Sequence, residues 1–251
     1  MKFNFAELTD IGLVRKANED SVGHLLLQET NGYATVFIVC DGMGGHVGGA
    51  RASQSAIRNI KEYFTNVPNS NPQIALKEAI EFANMQIFAE AQSNPEYSGM
   101  GTTVTVLIEK EGFINIAHVG DSRIYINSDD ILYRITKDHS FVQGLVDAGQ
   151  LKDEEMELHP RKNELTRALG ISVSVEVEIN STPILVKKGD KFMLCTDGLC
   201  GLVNDTTMMQ TINEYKNINT SANELIKLAK NAGGHDNISV TIIDVLESEH
   251  T

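Results

Sequence analysis

The spacing of apolar and polar positions changes several times along this chain. Residues 1–10, MKFNFAELTD, alternate apolar and polar side chains, which predicts a half-buried strand. Two helical patterns follow, Gly48–Phe64 and Gln73–Gln92, in which apolar residues recur every three or four positions. Pro72 suits the first turn of the second helix, because proline has no backbone N–H to leave unpaired there.

The second half of the chain is predicted to return to strands and then to end in helices and a final strand. Gly101–Thr136 contains runs of β-branched and apolar residues separated by turn residues, and Lys191–Leu199 begins with another apolar strand. Ser221 and Glu224 have the spacing of a capping box, which predicts that the last helix begins at Ser221. Gly233–Gly234 predicts its end.

Composition and charge narrow the class of protein. The 251 residues carry a formal charge of -13 with 41% hydrophobic residues, a poor match to a nucleic-acid backbone. No apolar run reaches membrane length, and the start of the chain lacks the apolar core of a signal peptide. Cys40, Cys195 and Cys200 are odd in number and lack CxxC spacing. We therefore expect one domain over residues 1–251 in a reducing, cytoplasmic setting, with no membrane or nucleic-acid partner.

Candidate chemistry concentrates in residues 36–46, VFIVCDGMGGH. The run Val36–Cys40 is typical of a strand buried on both faces, and it ends at Asp41 and Gly42. An ionised carboxylate there needs a positive partner, because burying it unpaired costs on the order of several kcal/mol. A metal ion fits, since glycines let the backbone approach an ion and a carbonyl can serve as a ligand. The stretch alone fits equally well a tight turn whose aspartate only caps the next helix.

The same arrangement of an aspartate beside an apolar strand recurs at Asp121, Asp197 and Asp236. If these strand ends lie together, their like charges repel, and divalent cations would neutralise them. Oxygen ligands without a Cys–His cluster favour Mg²⁺ or Mn²⁺ over Zn²⁺. Two such ions bridged by Asp41 would activate a shared water for attack on phosphorus, while Arg15 holds the phosphoryl oxygens.

Other interpretations of these residues compete with a phosphate site. Taken alone, Arg15 with Glu19 and Asp20 would form only a surface ion pair. The glycines after Asp41 imitate a dinucleotide-binding turn, but this carboxylate would face the pyrophosphate, and Val47 stands where the third glycine belongs. The chain has neither a P-loop nor a cysteine followed by arginine six positions later.

A set of short motifs runs along the chain in the order RKANED, DGMGGH, GMGTTV, HVGDSR, TKDHS, NELTRALG, CTDGL and GGHDNIS. This set resembles the metal-dependent type 2C serine/threonine protein phosphatases in their short bacterial form. Each motif alone is a weak signal, but their common order and compatible spacing are specific. The resemblance extends from near Asp10 to Asp244, which is almost the whole chain.

The resemblance implies an α+β fold in which two antiparallel sheets pack face to face between outer helices, as a four-layer αββα sandwich. It implies two Mn²⁺ or Mg²⁺ ions in a cleft at one end, a third, weaker ion, and a variable flap at about residues 141–162. Asp41 would bridge the two core ions, and the Gly42 carbonyl would bind one of them. The other implied roles are Asp197 and Asp236 as ligands of the second core ion, Asp20 with Glu19 acting through water, Asp121 with Asp197 for the third ion, and Arg15 for the phosphate.

The implied activity is hydrolysis of phosphoserine and phosphothreonine in proteins by metal-activated water, in opposition to a serine/threonine kinase. No heptad demands an oligomer, so we expect a monomer. A catalytically silent, metal-binding module on the same fold is an alternative, although it would not need Arg15 and a complete set of acids. A phosphoesterase of small molecules is another, and it would differ only in the walls of the cleft.

The general acid is a separate question. Animal members of this family carry a histidine directly after the metal-binding Asp-Gly that has been proposed for this role, but here Met43 occupies that place. We hypothesise that metal-bound water protonates the leaving group and that His46 only shapes the cleft.

Overall fold

A computed structural model of the chain describes residues 2–29, 32–45, 47–67 and 71–248. The strands are β1 (Lys2–Asp10), β2 (Ser21–Glu29), β3 (Gly32–Cys40), β4 (Gly42–Met43), β5 (Gly101–Thr102), β6 (Val104–Lys110), β7 (Phe113–Val119), β8 (Arg123–Ser128), β9 (Ile131–Arg134), β10 (Glu178–Ile179), β11 (Ile184–Leu185), β12 (Lys191–Cys195) and β13 (Ile238–Glu247). The helices are α1 (Gly48–Asn66), α2 (Pro72–Ser93), α3 (Phe141–Asp147), α4 (Asp197–Cys200), α5 (Asp205–Glu214) and α6 (Ile218–Asn231). Within these described ranges, no helix has both the length and the apolar character that crossing a bilayer requires.

Two antiparallel sheets form the centre of the molecule. The first has the strand order β1-β13-β12-β8-β9, and the second has the order β10-β7-β6-β3-β2, with β11 also paired to β7. A separate ribbon joins β4 to β5 through the pairs Gly42–Thr102 and Met43–Gly101. Strands distant in sequence thus become neighbours, and their ends come together.

Apolar clusters separate the layers of the fold, and β3 shows how alternation builds two of them. Val36 and Ile38 pack with α1 and α2 on one side. Phe37 and Val39 point to the other side, where they meet Phe192 of the first sheet. The opposite face of the first sheet packs on α5 and α6. The order is therefore helices, sheet, sheet, helices, and the predicted α+β sandwich is confirmed.

The predicted helices α1 and α2 are confirmed to within a few residues, and α2 begins as its sequence indicates. Pro72 is its first residue. The Asn71 side chain accepts hydrogen bonds from the backbone N–H groups of Gln73 and Ile74, at 3.0 and 3.2 Å. These bonds satisfy donors that have no partner inside the helix.

The predicted start of the last helix is wrong by three residues. Helix α6 begins at Ile218, and its cap is Asn217, whose side chain accepts a hydrogen bond from the Asn219 N–H at 2.9 Å. Ser221 is buried inside the helix and donates to the Tyr215 carbonyl at 3.3 Å. The spacing of Ser221 and Glu224 predicted the wrong start because Asn217, four residues before Ser221, supplies the cap. The predicted end at Gly233–Gly234 is confirmed, since both glycines have positive φ.

The segment predicted as a flap, residues 141–162, contains α3 and a 3₁₀ turn at Asp153–Leu158. The Arg161 guanidinium lies 3.4 Å from the centre of the Phe141 ring and also bonds Glu164. The contact between Arg161 and Phe141 therefore holds the end of the segment against its beginning.

One buried side chain of α2 holds the irregular backbone that comes later. Asn84, which is 1% exposed, accepts a hydrogen bond from the Gly170 N–H at 2.8 Å. Its amide group donates to the carbonyls of Ser172 and Val173, at 3.1 and 3.2 Å. Gly170 has a φ of +84°, and a Cβ there would overlap the Ile87 side chain. Residues 170–173 are therefore fixed in place although they lie in no helix or strand.

We expect Asn84→Ala to lower the free energy of unfolding by about 1–3 kcal/mol, because it removes the partner of one N–H and two carbonyls. Urea denaturation measures this loss. The matched control is Gln86→Ala, an exposed position on the same helix, which should change stability by no more than about 0.5 kcal/mol. Equal effects of the two substitutions would show that Asn84 does not hold the segment.

Candidate active site

A cleft of about 360 Å³ lies where the ends of several strands meet. Asp41 directly follows β3, and Asp121 lies in the turn between β7 and β8. Asp197 follows β12 by two positions, and Asp236 precedes β13. The residues of the sequence prediction that line this cleft are Arg15, Glu19, Asp41, Gly42, Asp121, Asp197 and Asp236. The fold thus brings together side chains from five separate parts of the sequence.

Asp20, the remaining predicted acid, is buried and is not part of the cleft wall. Its Oδ2 accepts hydrogen bonds from the hydroxyls of Thr196, at 2.9 Å, and Ser239, at 2.6 Å. Thr196 stands beside Asp197, and Ser239 lies three residues after Asp236. Asp20 therefore connects the two segments that carry these acids.

The acids of this site hold their protons more tightly than ordinary aspartates. Burial, followed by the charges of neighbouring aspartates, raises the pKa of Asp41 and Asp121 well above the usual range. Burial and the charge of Asp236 raise the pKa of Asp197. For Asp20 the pKa rises to about 7, chiefly through burial and against the hydrogen bonds from Ser239 and Thr196. The negative charges of the cluster, once ionised, are therefore not balanced by the positive groups around them.

Two buried carboxylate oxygens indicate that a cation would balance this charge. Asp20 Oδ1 and Asp197 Oδ1 are buried and receive no hydrogen bond from the described part of the chain. A buried carboxylate oxygen without a donor is costly unless a cation faces it. An all-oxygen donor set of this kind suits hard divalent cations such as Mg²⁺ and Mn²⁺. The residues present therefore fit the predicted metal ions.

Arg15 supplies a positive side chain at this cleft. Its Nη2 lies 2.6 Å from Asp236 Oδ2, and about half of the Arg15 side chain is exposed. Asp236 in turn accepts a hydrogen bond from the Asn237 backbone N–H through Oδ1, at 2.8 Å. The guanidinium is thus held at the cleft by a carboxylate that is itself fixed to the backbone.

Neutral hydrogen-bonding groups of Thr102 and Thr103 fix the backbone of the turn that carries Asp41. The Asp41 N–H donates to Thr103 Oγ1 at 2.9 Å. The Asp41 carbonyl accepts from the Thr103 N–H at 2.8 Å and from Thr102 Oγ1 at 2.9 Å. Gly42 comes next, where a Cβ would overlap the carbonyl oxygen of Gly49. This glycine lets the turn pack directly against the first residues of α1.

Comparison with known proteins identifies the family. The sequence profile described as Protein phosphatase 2C matches residues 15–231. This chain belongs to the protein phosphatase 2C family. Serine/threonine protein phosphatase PstP of Mycobacterium tuberculosis is 36% identical over 246 residues, which are 98% of this chain and 46% of PstP. The chain thus spans about half the length of that relative. Serine/threonine phosphatase stp of Listeria monocytogenes is 35% identical over 240 residues, which are 94% of this chain and 93% of stp.

The fold comparison agrees with the family assignment. The crystal structure of the catalytic domain of PstP in complex with two manganese ions has a TM-score of 0.83 and 34% identity, and the match covers 98% of this chain and 99% of that chain. The resemblance stated from the motifs is therefore confirmed, and so is the fold it implied.

Sequence reasoning missed the neutral residues that support this phosphatase-family site. Asn237, which is buried, donates to the carbonyls of Ile11 and Ala17, both at 3.0 Å, and accepts from the Glu19 N–H at 2.8 Å. It thereby holds the loop that contains Arg15. Thr103, Thr196 and Ser239 have comparable roles. The only signal for these four residues is their position inside the motifs GMGTTV, CTDGL and GGHDNIS, because nothing in the hydrophobic pattern marks them.

One further cluster outside the cleft, His118, His139 and Glu178, has side chains close enough to share a metal ion. The contacts of His139 indicate a structural role for that residue, whereas the ring nitrogens of the buried His118 have no hydrogen-bond partner among the described residues. The two imidazole rings are stacked at 4.6 Å and nearly parallel, at 8°, so their nitrogen lone pairs do not converge. The Gly120 N–H donates to His139 Nδ1 at 3.1 Å, which leaves the proton on Nε2, the atom 3.1 Å from Glu178. The Arg167 guanidinium, 3.2 Å from the same nitrogen, adds a charge that would repel a cation.

Within this His–Glu cluster, His139 therefore holds the turn that leads to Asp121. His139 also donates its backbone N–H to the Gly120 carbonyl at 2.9 Å, so it holds both polar groups of the residue before Asp121. Glu178 lies opposite His118 in the pairing of β10 with β7. His46, for which we predicted a shaping role, lies outside the described residues.

We expect the metal-free protein to lose stability as the pH rises from 5 to 7. The folded-state pKa of Asp20, about 7, lies above its ordinary value of 3.8, so the folded protein binds more protons in this range than the unfolded chain. Stability then falls by up to about 1.4 kcal/mol per pH unit for each aspartate protonated only in the folded state. Urea denaturation in EDTA measures the slope.

Two controls accompany this titration. Asp20→Asn should reduce the slope, since it removes one of the titrating groups. Saturating Mn²⁺ should reverse its sign, because the ions compete with protons for the same oxygens. Stability in EDTA that does not change over this pH range would contradict the electrostatic description of the site.

Proposed function

We propose that this chain is a metal-dependent phosphatase that hydrolyses phosphoserine and phosphothreonine monoesters in proteins. The observation that carries the proposal is the convergence of Arg15 and the acids Asp41, Asp121, Asp197 and Asp236 in one cleft. The acids provide for cations, and the planar fork of an arginine matches two oxygens of a phosphate. The names of PstP and stp, both serine/threonine phosphatases, support the same reaction.

We propose Mn²⁺ or Mg²⁺ as the cofactor, with two ions in the core site. Asp41 would contact both, the Gly42 carbonyl one of them, and Asp197 with Asp236 the other, while Asp20 and Glu19 would act through water. The buried oxygens of Asp20 and Asp197 and the two manganese ions of the PstP domain support this set. Such ions would lower the pKa of a bound water so that it loses a proton near neutral pH and becomes a nucleophile for phosphorus.

The protein's own groups orient the phosphate ester. An arginine has five N–H donors, and the ion pair to Asp236 uses Nη2, so other donors of Arg15 remain for phosphate oxygens. Asn237 fixes the loop that precedes Glu19, and Thr103 fixes the backbone of Asp41. These contacts set the distance between the phosphate-binding arginine and the acids before substrate arrives, which is the preorganisation that electrostatic catalysis needs.

The two alternatives are less well supported. A catalytically silent module would gain nothing from Arg15, which costs side-chain entropy to hold beside Asp236. A phosphoesterase of small molecules would use the same acids, so only the surroundings of the cleft discriminate against it. Membership of the protein phosphatase 2C family favours protein substrates.

We also propose that residues 1–251 form one catalytic domain with a flap at about residues 141–162. Asp121 and Asp197 would hold the third, weaker ion beside this flap. Supporting this placement, both acids line a small space of about 40 Å³ together with Glu157 and Lys162 of the flap. Flap residues thus lie next to the proposed third site.

The proposed partners are phosphoproteins and a serine/threonine kinase whose action this phosphatase reverses. We propose that it acts as a monomer in the cytoplasm. The three cysteines, Cys40, Cys195 and Cys200, are free and buried, which fits a reducing compartment.

We expect Asp197→Asn to lower phosphate release from a phosphothreonine peptide by at least about 100-fold in Mn²⁺, because it removes a charged ligand without changing the shape of the side chain. Calorimetric titration of the EDTA-treated variant should also show weaker Mn²⁺ binding. Asp129→Asn, at an exposed turn, is the matched control. Full activity of Asp197→Asn would refute the assigned metal site, and an inactive wild-type protein that binds Mn²⁺ would favour the silent module.

Arg15→Ala should reduce kcat/KM for the same peptide by about 100-fold, since it removes a charged donor from the phosphate. Circular dichroism checks that the variant is folded. Lys16→Ala, which removes the adjacent positive charge at the edge of the cleft, should have a much smaller effect. If both substitutions reduced activity equally, Arg15 would act only through long-range charge.

A further inference from the structure

A second groove leads away from the catalytic cleft along the backbone that follows the flap. It encloses about 330 Å³ and shares Met43, Asn163 and Leu165 with the cleft. Ile171 and Val175 line it beyond the shared residues. Because the two spaces share these three residues, they are adjacent, and a peptide whose phosphorylated residue occupies the cleft would reach the groove with its neighbouring residues.

The groove has a mixed lining, in which aliphatic side chains, chiefly Met43, Leu165, Ile171 and Val175, lie beside hydroxyl, amide and charged groups. Ile171 is 49% exposed, and its Cδ1 atom lies beside Gly101, as does Met43 Cε. A Cβ on Gly101 would lie 2.8 Å from both atoms, so a larger residue there would displace these two side chains. The one charged pair at the groove, Arg167 with Glu176 at 2.8 Å, is internally neutralised. Ile171 is thus an exposed aliphatic side chain beside partly buried ones, Met43, Leu165 and Val175, and together they offer a contact surface for another apolar group.

The groove has a fixed position relative to the metal site. The Thr102 N–H donates to the Leu169 carbonyl at 3.2 Å, and the Leu169 N–H donates to the Thr102 carbonyl at 2.9 Å. The same Thr102 holds the Asp41 carbonyl through its hydroxyl. Asn84 fixes the next residues, including the carbonyl of Ser172. A preformed site of this kind binds a flexible peptide without itself having to be ordered.

We propose that this groove binds an aliphatic side chain of the substrate protein, close in sequence to the phosphorylated serine or threonine. The proposal rests on the phosphatase function proposed above and defines its substrate preference. Because the groove shares three lining residues with the cleft, this side chain belongs to a residue near the phosphorylated one, and three positions on either side span about 10 Å of extended chain. The aliphatic part of the lining favours leucine, isoleucine or methionine, since contact with it would cost a charged residue part of its hydration.

The test uses phosphothreonine peptides with a glycine and serine background. Leucine is placed in turn at each of three positions on either side of the phosphothreonine, and kcat/KM is measured in Mn²⁺. We expect leucine at one position, or at two on the same side, to raise kcat/KM about tenfold, in line with the discrimination that apolar pockets achieve.

Substitution of the groove then assigns this preference to it. Ile171→Ser should remove most of the tenfold gain with leucine, yet leave kcat/KM for the unsubstituted peptide and for p-nitrophenyl phosphate unchanged. The matched control is Ile131→Ser on strand β9, because Ile131 is also 49% exposed and does not line the groove. This control should retain the full preference.

Several outcomes would overturn the inference. These are the absence of any leucine preference, a preference that survives in Ile171→Ser, and an equal loss of activity toward p-nitrophenyl phosphate. A wild-type dimer in light scattering that Ile171→Ser converts to a monomer would assign the groove to a second copy of the chain. Failure of the phosphatase proposal looks different, because wild-type protein would then release phosphate from none of these substrates.

Discussion

Repulsion among carboxylates in a confined space is the physical constraint on which this structure depends. Asp20, Asp41, Asp121 and Asp197 each raise the proton affinity of a neighbour or have it raised by one. Left to themselves, such groups would move apart or take up protons. They stay together because each is attached to the end of a strand or helix whose other residues lie in an apolar cluster. The free energy that holds the acids in place therefore comes from the two sheets and their helices.

The groups that touch these acids complement that arrangement, because most of them are neutral. Threonine and serine hydroxyls bind Asp20, and a threonine side chain binds the backbone of Asp41. A lysine or arginine in those places would cancel the negative charge and compete with a cation. Neutral donors orient a carboxylate and leave its charge for a metal ion. The exception is Arg15, whose partner Asp236 lies at the more exposed side of the site.

The sequence carried more information about the strands and acids than about the connections between them. Alternation predicted β1, and a continuous apolar run predicted β3. The repeated pattern of apolar strand and aspartate predicted which acids would meet, because strand ends in a sandwich share an edge. Ser221 was wrongly chosen as a helix cap, since several polar residues compete to cap one helix and only packing decides among them. Asn84 and Asn237 gave no signal of their own: each acts on backbone groups far away in sequence, at Gly170 and at Ile11. Their roles depend on tertiary structure that local patterns do not encode.

The ribbon of β4 and β5 has a consequence for how such enzymes diverge. Two pairs of residues join the turn after Asp41 to Gly101 and Thr102, and Thr102 is in turn bonded to Leu169. An insertion or deletion near Leu169 would thus displace the backbone of Asp41, a proposed metal ligand. Side chains that project from this frame, such as Ile171, carry no such constraint. If the groove binds substrate as proposed, new peptide preferences can arise by point substitution, whereas a change in the length of the segment that leads to Leu169 would disturb the acid cluster.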